Sequence, residues 1–193
     1  MVLAYPFADH APRTQRFGLT VDGMPIDVLA TDGDDYASFA VEGPAEVEVR
    51  LPSGAERATV RPLRHGIAPS MENGRIRFLI PGPIDLMVEC DGHVCLHIYG
   101  NPVAADDGAG ADLVFGAGGI HNVGELRVEA GQHVHFSGGA IVRGCLRASE
   151  AHGLKITGPG VLDGCYDGGP GFGRAAVIEG SRGVRIEDLT MIR

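Results

Sequence analysis

The stretch GLKITGPGVLDG, residues 153–164, repeats the apolar and glycine placement of HVHFSGGAIVRG, residues 133–144, at an offset of 20. Leu154 and Ile156 take the places of Val134 and Phe136, Gly158 that of Gly138, and Val161, Leu162 and Gly164 those of Ile141, Val142 and Gly144. Working outward, LVFGAGGI at 113–120 matches VHFSGGAI at 134–141 at an offset of 21. GVRIEDLTMI at 183–192 aligns with GLKITGPGVL at an offset of 30, placing Val184, Ile186 and Ile192 where Leu154, Ile156 and Leu162 stood. The glycine-rich insert CYDGGPGFGR at 165–174 accounts for the extra ten residues.

A period of 20 to 30 residues built of short strands and glycine turns is the pattern of a β-solenoid. Each coil is expected to be a ring of three short strands whose inward side chains are covered only by the coils above and below, so apolar residues recur at fixed ring positions. Gly138, Gly139, Gly158 and Gly160 fall at the corners, where residues without a Cβ accept strained backbone. The leucine and asparagine spacing of leucine-rich repeats is absent. About four coils are visible. The chain stops at Arg193 directly after a predicted strand, so the expectation is an open last coil, the front part of something longer, able to self-associate through that edge.

Residues 16–99 read differently. Eight short runs (RFGLTV, IDVLAT, YASFAV, EVEVRL, ATVRPL, RIRFLI, DLMVEC, VCLHIY) are divided by Asp22-Gly23, Asp32-Gly33, Ser53-Gly54, Asn73-Gly74 and Asp91-Gly92. Polar and apolar residues alternate in EVEVRL, as when one sheet face is packed and the other wet. This spacing predicts an immunoglobulin-like β-sandwich over residues 1–100. NPVAADDGAGAD at 101–112 reads as the linker, and the solenoid occupies 113–193. The chain is thus expected to be all-β, with thirty glycines and twelve prolines in 193 residues and no long run of helix formers.

The net charge of −9 excludes nucleic acid as an expected partner, because such binding draws on lysine and arginine contacts to phosphate. It leaves room for a neutral or acidic sugar held by a local arginine. No apolar stretch of 18 residues is present to cross a bilayer, and no membrane partner is expected. The first residues, MVLAYPFADHAPRTQRF, lack a basic leader followed by an apolar run, so the sequence as written reads as cytoplasmic; a secreted chain whose leader had been removed would read the same. Cys145 and Cys165 share the repeat's offset of 20, which would stack them on neighbouring coils about 4.8 Å apart. Buried thiols packed as small hydrophobes are expected there rather than a disulfide. Cys90 and Cys95 complete the set, and none of the four has zinc-site spacing.

On these residues the run from VFGAGGIHNVGELRVEAG through GLKITGPGVLDG to GVRIEDLTMI resembles the opening coils of the polygalacturonase-like glycoside hydrolases, family 28, and of related dextranase and isopullulanase enzymes. ITGPGVLDG is similar to that group's glycine and aspartate-glycine turn. The resemblance covers residues 113–193 closely and the sandwich by position only. It implies a right-handed parallel β-helix, a polysaccharide or oligosaccharide substrate, no cofactor, and inverting hydrolysis by an acid and a base roughly 6.5–9.5 Å apart. The family's asparagine-x-aspartate element and aspartate pair do not occur in residues 165–193, so the resemblance implies catalytic aspartates beyond residue 193 and a 193-residue chain that is inactive alone. The other reading is a non-catalytic carbohydrate-binding or structural β-helix module.

Asp163 and Asp167 flank the start of the insert, with Tyr166 offering a stacking face and Arg174 a hydrogen-bonding fork. These four are the candidate substrate-binding residues, and no catalytic residue is assigned. Asp163 also reads as a turn aspartate accepting backbone N–H bonds before Gly164. His133 and His135, at i and i+2, share a strand face and are expected to be exposed; without a third ligand in register no metal is expected. His93, Cys95 and His97 receive the same reading. No glycine-x-serine-x-glycine elbow is present, and GAGG at 116–119 lacks the lysine of a phosphate loop.

Overall fold

The computed structural model describes residues 1–103, 108–164 and 174–192. Among these every regular element is a strand apart from one 3-10 turn at Leu63–His65, and no helix is long and apolar enough to cross a membrane. The chain divides into two compact units, one of Met1–Tyr5 with His10–Val103 and one of Pro6–Asp9 with Ala104–Arg193.

The first unit holds two sheets. One runs β1 (Val2–Ala4), β5 (Asp35–Val41), β11 (Leu96–Asn101), β10 (Ile84–Cys90) and β7 (Ala58–Arg61), with β4 (Leu29–Ala30) also paired to β5. The other runs β3 (Met24–Ile26), β2 (Gly18–Val21), β6 (Ala45–Arg50), β9 (Arg75–Ile80) and β8 (Ser70–Glu72). Pairing is antiparallel except between β11 and β5. Alternate residues Val47 and Val49 of β6, Ile76 and Ile80 of β9, Leu86 and Val88 of β10, and Leu96 and Ile98 of β11 meet in one apolar core drawn from both sheets. Their burial removes apolar surface worth about 25 cal/mol per Å², the main term holding the unit together.

Two strands lie outside the runs read from the sequence. Both β1 and β8 are three-residue edges, and β8 is exposed along its length, so neither carries a hydrophobic alternation. The run IDVLAT is divided: Ile26 closes β3, and Leu29 and Ala30 form β4 in the other sheet. Residues 11–16 run beside β4, where Arg13 bridges to Leu29 and the Ala30 N–H donates to the Pro12 carbonyl, and β5 is buried on both faces. Arg16 reaches the fully buried Asp35 through Nε at 3.0 Å and through a second guanidinium nitrogen.

The second unit is built from two parallel ladders. One stacks β12 (Leu113–Phe115), β14 (His133–Phe136), β16 (Lys155–Thr157) and β19 (Arg185–Ile186). The other stacks β13 (Ile120–Val128), β15 (Ile141–Ser149), β17 (Val161–Asp163) and β20 (Thr190–Ile192), with β18 (Ala176–Glu179) joining β15. Phe115, Val134, Phe136, Val142, Leu146, Leu154, Ile156 and Leu162 fill the interior. Phe115 and Phe136, from successive coils, pack with ring centroids 5.1 Å apart.

The register corrects the alignment read from the sequence at three points. Val134 pairs with Ile156, an offset of 22, while Ile141 pairs with Val161, an offset of 20. The expected pairing of Val134 with Leu154 is therefore two residues out, a slip that leaves inward and outward faces unchanged because side chains alternate with period 2. The corner of the third coil is two residues shorter, and Gly158 permits this: at φ +102°, its Cβ would lie 2.2 Å from the Phe136 carbonyl oxygen. At the last coil Thr190 pairs with Val161, an offset of 29, so Met191 rather than Ile192 stacks on Leu162. Asp188, at φ 60°, sits in that shortened corner.

The third correction concerns the strands themselves. Instead of two separate strands, residues 120–128 and 141–149 each form one nine-residue strand with an irregularity near its middle. The register shift lies between Asn122 and Gly124, so Val123 is an extra residue on β13. Gly144 is pressed against this point; a Cβ there would lie 2.3 Å from the Gly124 carbonyl oxygen. In the next coil the long strand is divided into β17 and β18, because β15 pairs with Val161–Asp163 through its first half and with Ala176–Glu179 through its second. The glycine-rich insert is spliced in at the same ring position as Gly144.

Candidate functional site

Outward-facing residues of β13, β15 and β18 line a groove of about 370 Å³ on the second unit. The alternation that turns Leu126, Val128, Leu146, Ala148 and Ile178 inward leaves Arg127, Arg147, Ser149, Val177 and Glu179 on its floor. Parallel pairing sets Arg127 beside Arg147, Arg147 beside Val177, and Ser149 beside Glu179. Two stacked guanidinium groups repel each other, and Glu125 resolves this by bridging them. Its Oε1 accepts from Arg127 Nε at 2.7 Å, and its Oε2 lies 2.7 Å from Arg147 Nε. The hydrogen bond from Arg127 leads the effects that hold the Glu125 carboxyl below its ordinary value, outweighing a smaller upward push from lost hydration. Glu125 therefore stays ionised between the two arginines, which line the groove with Glu129, Ser149 and Glu179.

Asp163 ends β17, where it stacks on Arg143 of β15. Its Oδ2 lies 3.5 Å from Arg143 Nε, and its side chain is 16% exposed. Arg174 is exposed and stands two residues before β18. Asp163 and Arg174 thus bound the insert, and neither lines the groove. Arg143 and Arg147 are four residues apart on β15, which places Asp163 at most about 13 Å along the strand from the groove floor. Tyr166 and Asp167 lie outside the described residues, as does Cys165; Cys145 is buried.

The histidine pair differs from its sequence reading. His133 Nε2 and His135 Nδ1 approach one hydroxyl, Thr157 Oγ1, at 2.8 and 3.0 Å, and His135 is 2% exposed rather than on an open polar face. Thr157 stacks beside His135 in the parallel ladder, so the contact follows from the two-residue register slip. Among the described residues no group of three or more His, Cys, Asp or Glu side chains is placed to hold a metal. In the first unit His97 Nε2 lies 3.0 Å from Asp34 Oδ2, and the Cys95 backbone N–H donates to Asp34 Oδ1 at 2.8 Å.

The groove residues Glu125, Arg127, Arg147 and Glu179 were not singled out from the sequence. Their signal is the polar half of the alternation in ELRVE at 125–129 and LRAS at 146–149, which by itself describes any wet sheet face.

This fold, with its stacked parallel ladders, is shared with a solved structure. The solved structure that carries the comparison is Dex49A from Penicillium minioluteum, matched at a TM-score of 0.63 and 12% identity over 98% of this chain. The match spans 60% of the length of Dex49A. No family model matches the sequence, and no curated protein matches it.

Proposed function

We propose that the chain is the glycan-holding part of a polysaccharide-hydrolysing enzyme, a β-sandwich followed by a right-handed parallel β-helix, with the sugar chain lying across β13, β15 and β18. The observation that carries this reading is the pair of stacked arginines fixed by Glu125 on the floor of the groove. Guanidinium N–H groups held in place donate to sugar hydroxyls at little entropic cost, and Glu129, Ser149 and Glu179 accept from others. With strands about 4.8 Å apart, three coils give a floor about 10 Å long. Asp163, Tyr166, Asp167 and Arg174 contribute in this reading from the insert at one side.

Inverting hydrolysis needs a protonated carboxylic acid on one face of the scissile bond and a carboxylate base on the other. Glu125 is unsuited to the acid role, since two guanidinium groups keep it ionised. Asp163 is engaged with Arg143. We therefore assign binding rather than acid catalysis to Glu125 and Asp163. The fold likeness to Dex49A, a dextranase, favours a neutral α-glucan over a uronic acid polymer.

Calorimetric titration with isomaltoheptaose tests the reading. Saturable binding that weakens at least tenfold in Arg147→Ala is expected, with tetragalacturonate binding more weakly. Absence of binding, or binding that Arg147→Ala and Glu179→Ala leave unchanged, overturns it.

A further inference from the structure

The first unit carries a second, separate cleft, of about 680 Å³, between residues 65–68 and 78–81. Its origin is a ladder that ends early. β9 pairs with β6 along its whole length, Arg75–Ile80, yet with β8 only through Arg75–Arg77. The Ser70 hydroxyl donates to the Arg77 carbonyl at 3.4 Å, so the main-chain groups of Arg77 face β8. By alternation those of Leu79 face the same way, where β8 no longer runs. Pro69 has no N–H, and the chain before it diverges to form the far wall with Ile67 and Ala68.

The lining combines apolar faces from Ile67, Leu79 and Pro81 with hydrogen-bonding groups from His65, Ser70 and Arg77. Leu79 is 68% exposed on the wet face of β9, so its apolar side chain is open to a ligand. The Arg77 charge is already matched: its Nε donates to Glu48 Oε2 at 2.7 Å, and a second nitrogen lies 2.6 Å from the same oxygen. Arg75 shares the same Glu48 carboxylate, and the carboxylates of Glu46 and Glu72 also act on Arg77, so an anionic ligand would meet three acids against two arginines. A peptide strand would find a single hydrogen-bonding residue, Leu79, because Pro81 next in register has no N–H to offer. A compact, uncharged ligand with hydroxyls around an apolar ring face satisfies both kinds of wall.

We propose that this cleft is a second glycan site, taking one neutral sugar residue whose ring packs on Leu79 and Ile67 and whose hydroxyls bond to the Leu79 main chain, His65 and Arg77. The proposal rests on the reading that this chain handles a neutral polysaccharide, and adds to it an anchor on the first unit that holds the polymer independently of the groove.

Amide-resolved NMR of the 193-residue chain, titrated with isomaltoheptaose and separately with tetragalacturonate, tests it. Saturable shifts of the Ile67, Ala68 and Leu79 amides with the neutral oligosaccharide are expected. In Leu79→Asp they should need at least tenfold more ligand, while the amides of 147–149 and 177–179 still respond as in the parent. Because Leu79 is exposed, the variant should keep the parent's far-UV circular dichroism; Ala68→Asp, at another exposed residue of the lining, supplies an independent second variant. Shifts confined to residues 125–129, 147–149 and 177–179 would overturn this site and leave the groove standing. Shifts confined to 65–81 would overturn the groove and leave this site. Leu79 shifts that follow protein concentration instead of sugar would mark a second copy of the chain as the occupant and overturn the proposal.

Discussion

Replacing Gly158 by alanine probes the coil register at its tightest point. Two separate costs arise. The backbone sits at φ +102°, a region that alanine occupies at a cost of about 1–3 kcal/mol. The added Cβ would also lie 2.2 Å from the Phe136 carbonyl oxygen, well inside contact distance. That carbonyl accepts the Gly160 N–H at 3.0 Å, so moving it by about 1 Å sacrifices a buried hydrogen bond, a further loss of about 1–3 kcal/mol. Gly153 is the control: it has φ +71° and nothing within 4 Å of its would-be Cβ, so Gly153→Ala carries only the backbone cost of about 1–2 kcal/mol. For a unit of this size each kcal/mol lowers the melting temperature by about 4–8 °C. Gly158→Ala should therefore melt the second unit at least about 4 °C below Gly153→Ala. The measurement is hydrogen–deuterium exchange across a temperature series, read from peptides covering 133–163, with peptides of 75–101 as the internal reference. Equal losses in the two variants would refute the packing of the third corner against Phe136.

The Arg16–Asp35 ion pair of the first unit, half-exposed at the arginine and fully buried at the carboxylate, predicts an asymmetry: Arg16→Ala, which takes the guanidinium from the buried Asp35 carboxylate, should cost about 1–3 kcal/mol, and Asp35→Asn distinctly less in urea melts. Burial pushes the Asp34 carboxyl up, but the Cys95 N–H, the His97 hydrogen bond and nearby positive charge outweigh it and hold the group below 3.8. A depressed acid stabilises the fold above its unfolded value and loses that contribution as pH falls through the folded value. Acid titration of stability should therefore be less steep below pH 4 in Asp34→Asn. Burial, followed by the charges of Cys95 and Asp91, raises the Cys90 thiol to about 11, so mapped alkylation at pH 8 should be about a hundredfold slower at Cys90 than in the unfolded chain. Reducing-sugar assays of the 193-residue chain on dextran and polygalacturonate should show no turnover; hydrolysis abolished by Asp163→Asn would overturn the binding-only assignment.

Glycine spacing made the second ladder legible in the sequence, since Ile141 and Val161 stand in register at the offset read from the two GAIV- and PGVL-containing segments. It misplaced the first ladder because an offset measured across a corner averages two strands, and the corner at 158–160 is shorter than that at 136–140. Faces survived the error while the contacts of His133, His135 and Thr157 did not. The edges β1 and β8 escaped because three exposed or half-exposed residues carry no periodicity. The groove escaped for another reason: a wet face and a binding face share the same alternation, and only the stacking of Arg127 on Arg147 over Glu125 distinguishes them. That stacking depends on the one-residue adjustment at Val123, which nothing local announces.

The division of one long strand into β17 and β18 has a practical consequence. Both ends of the intervening segment are clamped by the same neighbour, since Asp163 pairs with Arg143 and Ala176 with Leu146, only three residues further along β15. Chain exported from that point and returned to it leaves the stack above and below in step, whatever its length or composition. The position is a natural port for foreign loops, where specificity can be exchanged by cassette without renegotiating the scaffold.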